Sequence, residues 1–202
     1  LNFNITVYKL FNLLQLIFAL LGFGFLVIGH LVGYSKPKEL TSQLFFFMGC
    51  AASLNFNSFI QTDSQQIQTI IFFNQIIGML FFYPLFVHFF MTYPVRIETT
   101  KRKIYLLFIY GIPIVFVVII IGIPALFSLL DIKLPSINLN IFSQILATAY
   151  IITGVFIFRH SVRNIKNEKM KKPLKVILYG FLIAGIGFTY TGLLPFIINK
   201  PN

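Results

Sequence analysis

The sequence predicts an all-α fold, a polytopic bundle of six transmembrane helices, from three observations. Hydrophobic residues make up 57% of the 202 residues and charged residues 10%, with a mean hydropathy of +0.87. A soluble chain of this size carries about 25% charged residues. The apolar residues also form six stretches without Asp, Glu, Lys or Arg, and most basic residues fall on one side of them.

The six apolar stretches come near the length that crosses a bilayer as a helix, about 20 residues. A charge at the centre of such a helix would cost about 2.5–3.5 kcal/mol, so the absence of charge supports each prediction. The second stretch is short and contains several Ser and Asn residues. We retain it because five spans would place the basic loops on opposite sides. The predicted spans cover about residues 10–32, 44–60, 70–93, 104–130, 141–158 and 176–198.

The lysines and arginines predict the orientation in the membrane, because short cytoplasmic loops are enriched in them. The loops after spans 1, 3 and 5 hold thirteen of the 16 basic residues, and the other side has only Lys9, Lys133 and Lys200. We therefore expect these three loops in the cytoplasm and both ends of the chain outside. The net charge of +11 then reflects membrane topology and contact with anionic lipid headgroups rather than nucleic acid.

Amide and hydroxyl side chains inside the spans fall in the half predicted to face outward. Polar groups within a membrane usually face the bundle interior or a water-filled cavity, so we expect an outward-opening ligand pocket. Prolines in spans 3, 4 and 6 remove backbone donors and bend helices, which favours such a cavity. The alternative is that these groups bond to neighbouring helices or to interfacial water. The candidate ligand-binding residues are Asn55, Asn57, Asn74, Gln75, Gln144, Thr189 and Tyr190.

The sequence contains no arrangement of residues typical of catalysis or metal binding. All five carboxylates lie in predicted loops, on both sides of the membrane, and the three histidines lack the spacing of zinc-binding motifs. The single cysteine, Cys50, cannot form an intrachain disulfide or a multi-cysteine metal site. We therefore predict no cofactor, no metal and no catalytic residue in this chain, and leave open whether it belongs to an enzyme.

Three short segments are similar to parts of a known class of membrane region. The first is HFFMTYP at residues 88–94 with the basic run to Lys103, the second GYSKP at 33–37 with LFFF at 44–47. The third is KKPLK at 171–175 with Gly180 and LPF at 194–196. Together they resemble the multi-pass input regions of bacterial sensor histidine kinases and related serine phosphatases. The resemblance covers most of the chain and rests on short hydrophobic motifs.

The resemblance implies a membrane-embedded sensing module, since quorum-sensing kinases with similar input regions detect extracellular peptides. It places a kinase or phosphatase domain beyond Asn202, after at least one more span, and carries no catalytic residue onto this chain. His88 and Pro94 match the family pattern, and we expect a structural role for both.

We thus expect a fragment of a bacterial inner-membrane sensor that detects an extracellular small molecule or peptide. A small transporter or channel subunit is the alternative function, and dimerisation stays open.

Overall fold

The computed structural model describes residues 13–57, 64–96, 101–129 and 139–198, and within these ranges the secondary structure is entirely helical, without strands. The all-α fold class is confirmed. In the last helix, side chains are described as far as Ile183. The six helices are α1 (Leu13–Ser35), α2 (Leu40–Asn57), α3 (Gln65–Thr92), α4 (Arg102–Leu129), α5 (Leu139–Arg163) and α6 (Glu168–Ile198).

Four helices, rather than the six predicted, are long and apolar enough to cross a membrane among the described residues. The apolar part of α2, Leu40–Phe56, is shorter than a span. In α6, the part with described side chains opens with Glu168 and four lysines. The four spans are compatible with an integral membrane protein, and they are Gln15–Ser35, Gln65–Thr92, Arg102–Pro124 and Gln144–Arg163.

The helices end where the sequence supplies a stop or a cap. α3 ends at Thr92, two residues before Pro94, because the residue preceding a proline disfavours helical geometry. The Thr92 hydroxyl donates to the Phe89 carbonyl at 2.8 Å. α6 begins after Asn167, whose Oδ1 accepts from the backbone N–H of Lys169 at 3.0 Å, the usual bond of an N-cap asparagine. The basic segment between the last two predicted spans is therefore largely helical.

The helices pack in an up-and-down order. α1, α2 and α3 are successive neighbours, α4 and α5 both pack on α3, and α6 packs on α5. Small residues allow two close crossings. A Cβ on Gly49 would lie 2.6 Å from the Phe25 oxygen of α1, and one on Gly78 would lie 2.8 Å from the Asn55 nitrogen of α2.

The apolar core lies where α3, α5 and α6 meet, and it is built from aromatic rings. The rings of Phe90 and Phe158 are 4.6 Å apart, and Phe181 of α6 packs edge-on against Phe86 at 5.6 Å. Phe158 is completely buried. The core lies toward the end of the bundle where α1, α3 and α5 finish. We call this the basic end, because the lysines and arginines of residues 36–38, 101–103 and 159–175 lie there.

Candidate functional site

Asn55, one of the predicted ligand-binding residues, lies where α2 crosses α3. The crossing is so close that only a glycine fits at position 78, next to the Asn55 backbone. The side chain of Asn55 is hydrogen-bonded to Tyr83 of α3, which is buried. Asn55 therefore bonds to a neighbouring helix, as the alternative interpretation of these amides expects.

Tyr83 leads from this crossing to α5 and α4. Its ring lies 6.3 Å from the ring of Tyr150 in α5, and the Tyr150 hydroxyl donates to the Ile109 carbonyl of α4 at 2.7 Å. In a regular helix the Ile109 oxygen would accept from the N–H of residue 113. Residue 113 is a proline inside α4 and has no N–H. The Tyr150 hydroxyl therefore replaces the missing backbone donor.

A second polar contact attaches α4 one residue further along. His88 Nδ1 of α3 lies 3.0 Å from the Tyr110 hydroxyl, and the two rings meet edge-on. His88 Nε2 is buried and has no hydrogen-bond partner in the part of the chain that the structure describes. This bond fits the structural role expected for His88. The two polar attachments of α4 thus fall on the adjacent residues Ile109 and Tyr110.

Two buried side-chain oxygens of α5 have no hydrogen-bond partner within the described ranges. They are Gln144 Oε1 and Thr148 Oγ1. The residues are four apart, so they lie on one face of the helix, one turn from each other. Leaving a buried polar group unpaired costs about 1–3 kcal/mol. A molecule that donated hydrogen bonds at this face would recover part of that cost.

These polar groups lie at a similar height in the bundle. α3 and α5 run parallel, with Phe86 beside Gly154 and Phe90 beside Phe158. The same offset places Gln144 level with residue 76 of α3 and Thr148 level with residue 80. Asn55 meets α3 at residue 78. At 1.5 Å per residue these positions and Tyr83 fall within about 10 Å along the axis. We call this set, Asn55, Tyr83, Gln144, Thr148 and Tyr150, the polar layer.

The structure places two of the seven predicted site residues, Asn55 of α2 and Gln144 of α5, at a similar height in the bundle, and α2 and α5 both pack on α3. Asn74 is half-buried, and its position one turn before Gly78 puts it on the side of α3 that meets α2. Gln75 is exposed rather than directed into the bundle. The side chains of the other three, Asn57, Thr189 and Tyr190, lie outside the described residues.

Sequence reasoning missed Thr148 and the two tyrosines of the polar layer, Tyr83 and Tyr150. One available signal was the position of the tyrosines. Tyrosine is enriched at the membrane interface, whereas Tyr83 lies in the interior of its predicted span and Tyr150 in the middle of its own. A second signal was Pro113, which removes a backbone donor and so requires one from another helix. The sequence does not say which helix supplies it.

The polar layer offers neutral hydrogen-bonding groups and no charge. The carboxylates among the described residues, Glu39 and Glu168, form exposed ion pairs with Lys36 and Lys171 at 3.0 and 3.2 Å. Within the described part of the chain, no three His, Cys, Asp or Glu side chains come close enough to hold a metal ion. The arrangement suits recognition of an uncharged ligand, or an uncharged part of one, by hydrogen bonds.

Comparisons with models of known protein families, with curated proteins and with solved structures find no match to this chain. The resemblance to sensor input regions is therefore left untested, and function is argued from the polar layer.

Proposed function

We propose that this chain is the membrane-embedded sensor module of a bacterial signal-transduction protein, relaying an extracellular or membrane signal to a cytoplasmic output domain. One observation carries the proposal. Two buried acceptors without a partner among the described residues, Gln144 Oε1 and Thr148 Oγ1, lie on the same helix as Tyr150, whose hydroxyl bonds to α4. A ligand that pairs with the first two can act on the third, because all three share one rigid helix.

In this proposal all six helices cross the bacterial inner membrane, with the basic loops in the cytoplasm and the polar layer nearer the outside. The 18 residues of α2 would extend about 27 Å, close to the ~30 Å of a hydrocarbon core. The resemblance of three sequence segments to the input regions of sensor kinases and phosphatases supports the same assignment.

The proposed mechanism is a choice between two packings of the bundle. Without ligand, Tyr150 holds α4 through Ile109, and the two acceptors of α5 have no partner in the described part of the bundle. A hydrogen-bond donor that pairs with the acceptors favours a rotated α5, in which the Tyr150 hydroxyl leaves Ile109. The ligand shifts the equilibrium only by the difference between its affinities for the two packings. The movement of α4 changes the basic loop that precedes it.

The test uses the full-length protein in its own bacterium, with a transcriptional reporter of its output and conditioned medium from a stationary culture as the stimulus. We expect the wild-type response to change about fivefold or more. The double variant Gln144→Leu, Thr148→Val should insert normally and lose the response. The control is Thr153→Val, since Thr153 is exposed on α5 and bonds its own helix at Ala149.

An unchanged response in the double variant would remove the polar layer from the mechanism. Substrate flux into liposomes containing the purified chain, with no effect of the double variant on the reporter, would favour the transporter or channel instead. A kinase or phosphatase domain in the same reading frame would support the sensor assignment.

A further inference from the structure

A cavity at the basic end lies between α1, α2 and the turn that joins them. Its volume is about 440 Å³, and it is open to the surroundings. It is separate from the polar layer, since α2 begins at this end and reaches Asn55 only near its other end. The residues that line it combine aromatic rings with a few polar groups, and they are His30, Gly33, Tyr34, Pro37, Gln43, Phe46 and Phe47.

Hydrogen bonds hold the walls of this cavity in place. His30 Nδ1–H donates to the Leu26 carbonyl at 3.0 Å, and the imidazole packs edge-on against Phe46 at 4.8 Å. Gln43 Nε2 donates to the Pro37 carbonyl at 2.8 Å, which ties the turn to α2. These bonds leave His30 Nε2 and Gln43 Oε1 as hydrogen-bond acceptors for a bound molecule that carries donors. The cavity is therefore preformed.

The cavity lies at the boundary between an apolar and a charged surface. On one side, Leu31 is 67% and Phe47 is 55% exposed, as expected of side chains in contact with lipid. On the other side the turn carries Lys36 and Lys38, with the single carboxylate of Glu39 engaged by Lys36 at 3.0 Å. Tyr34 is 80% exposed at this boundary, which is where tyrosines lie in membrane proteins.

We propose that this cavity binds the headgroup of phosphatidylglycerol, an anionic phospholipid, from the leaflet at the basic end, with an acyl chain along Leu31 and Phe47. The glycerol hydroxyls donate to His30 Nε2 and Gln43 Oε1. The phosphate lies toward the lysines of the turn, since lysines near a membrane surface attract anionic lipid. The turn carries two lysines and one glutamate, and this positive charge disfavours a cationic headgroup in the cavity. The site goes beyond general attraction to basic loops, because it has walls and fixed polar atoms.

Fluorescence quenching can test the proposal directly, because the chain contains no tryptophan. Tyr34→Trp places a single reporter at the cavity, and Tyr105→Trp places a matched one on α4, three residues from the start of that helix and also exposed. Each variant is reconstituted in phosphatidylcholine vesicles containing increasing fractions of brominated phosphatidylglycerol. Brominated phosphatidylcholine in phosphatidylglycerol vesicles provides the reverse titration.

We expect the reporter at position 34 to prefer phosphatidylglycerol more than the reporter at position 105, although the basic residues 101–103 precede position 105, because only position 34 lies at a cavity. Adding Lys38→Ala should lower the preference at position 34 about fivefold, the factor that one lysine near the surface supplies. Lys103→Ala, which removes another exposed lysine at the basic end, should leave it unchanged. Far-UV circular dichroism on the same vesicles verifies that each variant is folded.

Equal phosphatidylglycerol preference at the two reporters in folded protein would overturn the proposal, because the basic end would then act as a uniform charge. Stronger quenching at position 34 by brominated phosphatidylcholine would also overturn it, in favour of a cationic headgroup held by the aromatic rings. Equal effects of Lys38→Ala and Lys103→Ala on the reporter at position 34 would remove the cavity from the account of lipid binding.

Discussion

Replacing Tyr150 with phenylalanine tests whether one hydroxyl holds α4 on the bundle. The substitution keeps the aromatic ring, so the contact with Tyr83 is retained. It removes the donor that reaches the Ile109 oxygen at 2.7 Å. Because Pro113 has no N–H, the Ile109 carbonyl is then left without the donor from α5 and without a backbone donor from its own helix.

The expected cost follows from the partner that is left behind. Removing one partner so that a buried acceptor stays unpaired costs about 1–3 kcal/mol in water-soluble proteins. Hydrogen bonds between membrane helices average about 0.6 kcal/mol and reach about 1.7 kcal/mol. The Ile109 oxygen cannot return to a regular helical bond, so we expect a value near the upper part of the membrane range, about 1–1.7 kcal/mol.

The proline supplies the matched control. Pro113→Ala restores an N–H that can donate to the Ile109 oxygen within α4. In that background Tyr150→Phe should cost about 0.6 kcal/mol or less, the average of a hydrogen bond between membrane helices, because the Ile109 oxygen keeps a donor. The free energies of unfolding come from titration with sodium dodecyl sulfate in mixed micelles, followed by circular dichroism. Hydrogen exchange of the α4 peptides should accelerate in the single variant and recover in the double variant.

Two results would refute this reasoning. Equal losses of stability from Tyr150→Phe with Pro113 and with Ala at that position would mean that the hydroxyl does not compensate for the proline. An unchanged hydrogen exchange of α4 in Tyr150→Phe would mean that the bond does not hold the helix.

Three further substitutions test the packing and the polar groups of the bundle, two by the same unfolding titration and one by hydrogen exchange. Thr148→Val removes a buried oxygen that has no partner among the described residues and should raise stability by up to about 1 kcal/mol. The control Thr153→Val, at an exposed threonine that bonds to Ala149 of its own helix, should be nearly neutral; a larger gain from the control would contradict the burial of the Thr148 hydroxyl. Gly49→Ala should lower stability by about 1–3 kcal/mol, since its Cβ would meet the Phe25 carbonyl of α1 at 2.6 Å. Gly24→Ala is the control, because a Cβ there faces open space, and equal losses of stability from the two substitutions would argue against the close crossing of α1 and α2. Ser161→Ala removes two hydrogen bonds to the backbone of Val95 and should accelerate exchange of the Val95 amide, whereas unchanged exchange would mean that Ser161 does not hold this turn.

The six helices could be predicted from the sequence because uncharged apolar runs admit no other structure in a membrane. The extent of α5 and α6 was harder to predict, since hydropathy drops at Arg159 while the helix continues to Arg163. Arginine, lysine and glutamate are good helix formers, so the helix persists after the apolar run ends. α2 contains no charged residue, and its apolar part, Leu40–Phe56, is too short to count as a span.

The partners inside the bundle could not be predicted, because helices that are apolar on every side carry no signal for their rotation. The α3 sequence does not indicate that Tyr83 meets Asn55 on one side and Tyr150 on the other. Gln144 was predicted from its polarity alone. That Gln144 and Thr148 are both buried could not be predicted, because burial depends on how α5 packs against its neighbours.

The two polar attachments of α4 determine how freely this helix can move. Tyr150 and His88 bind it from two different helices at adjacent residues, and two points on separate partners fix the orientation of α4 as well as its position. If the Tyr150 bond is lost, α4 would be held by the His88–Tyr110 contact and by its packing on α3. The remaining turns toward Leu129 expose many apolar side chains, so little protein packing resists rotation there. In the proposed mechanism, a change at one hydroxyl of α5 would therefore reorient α4 while the aromatic core of α3, α5 and α6 stays in place.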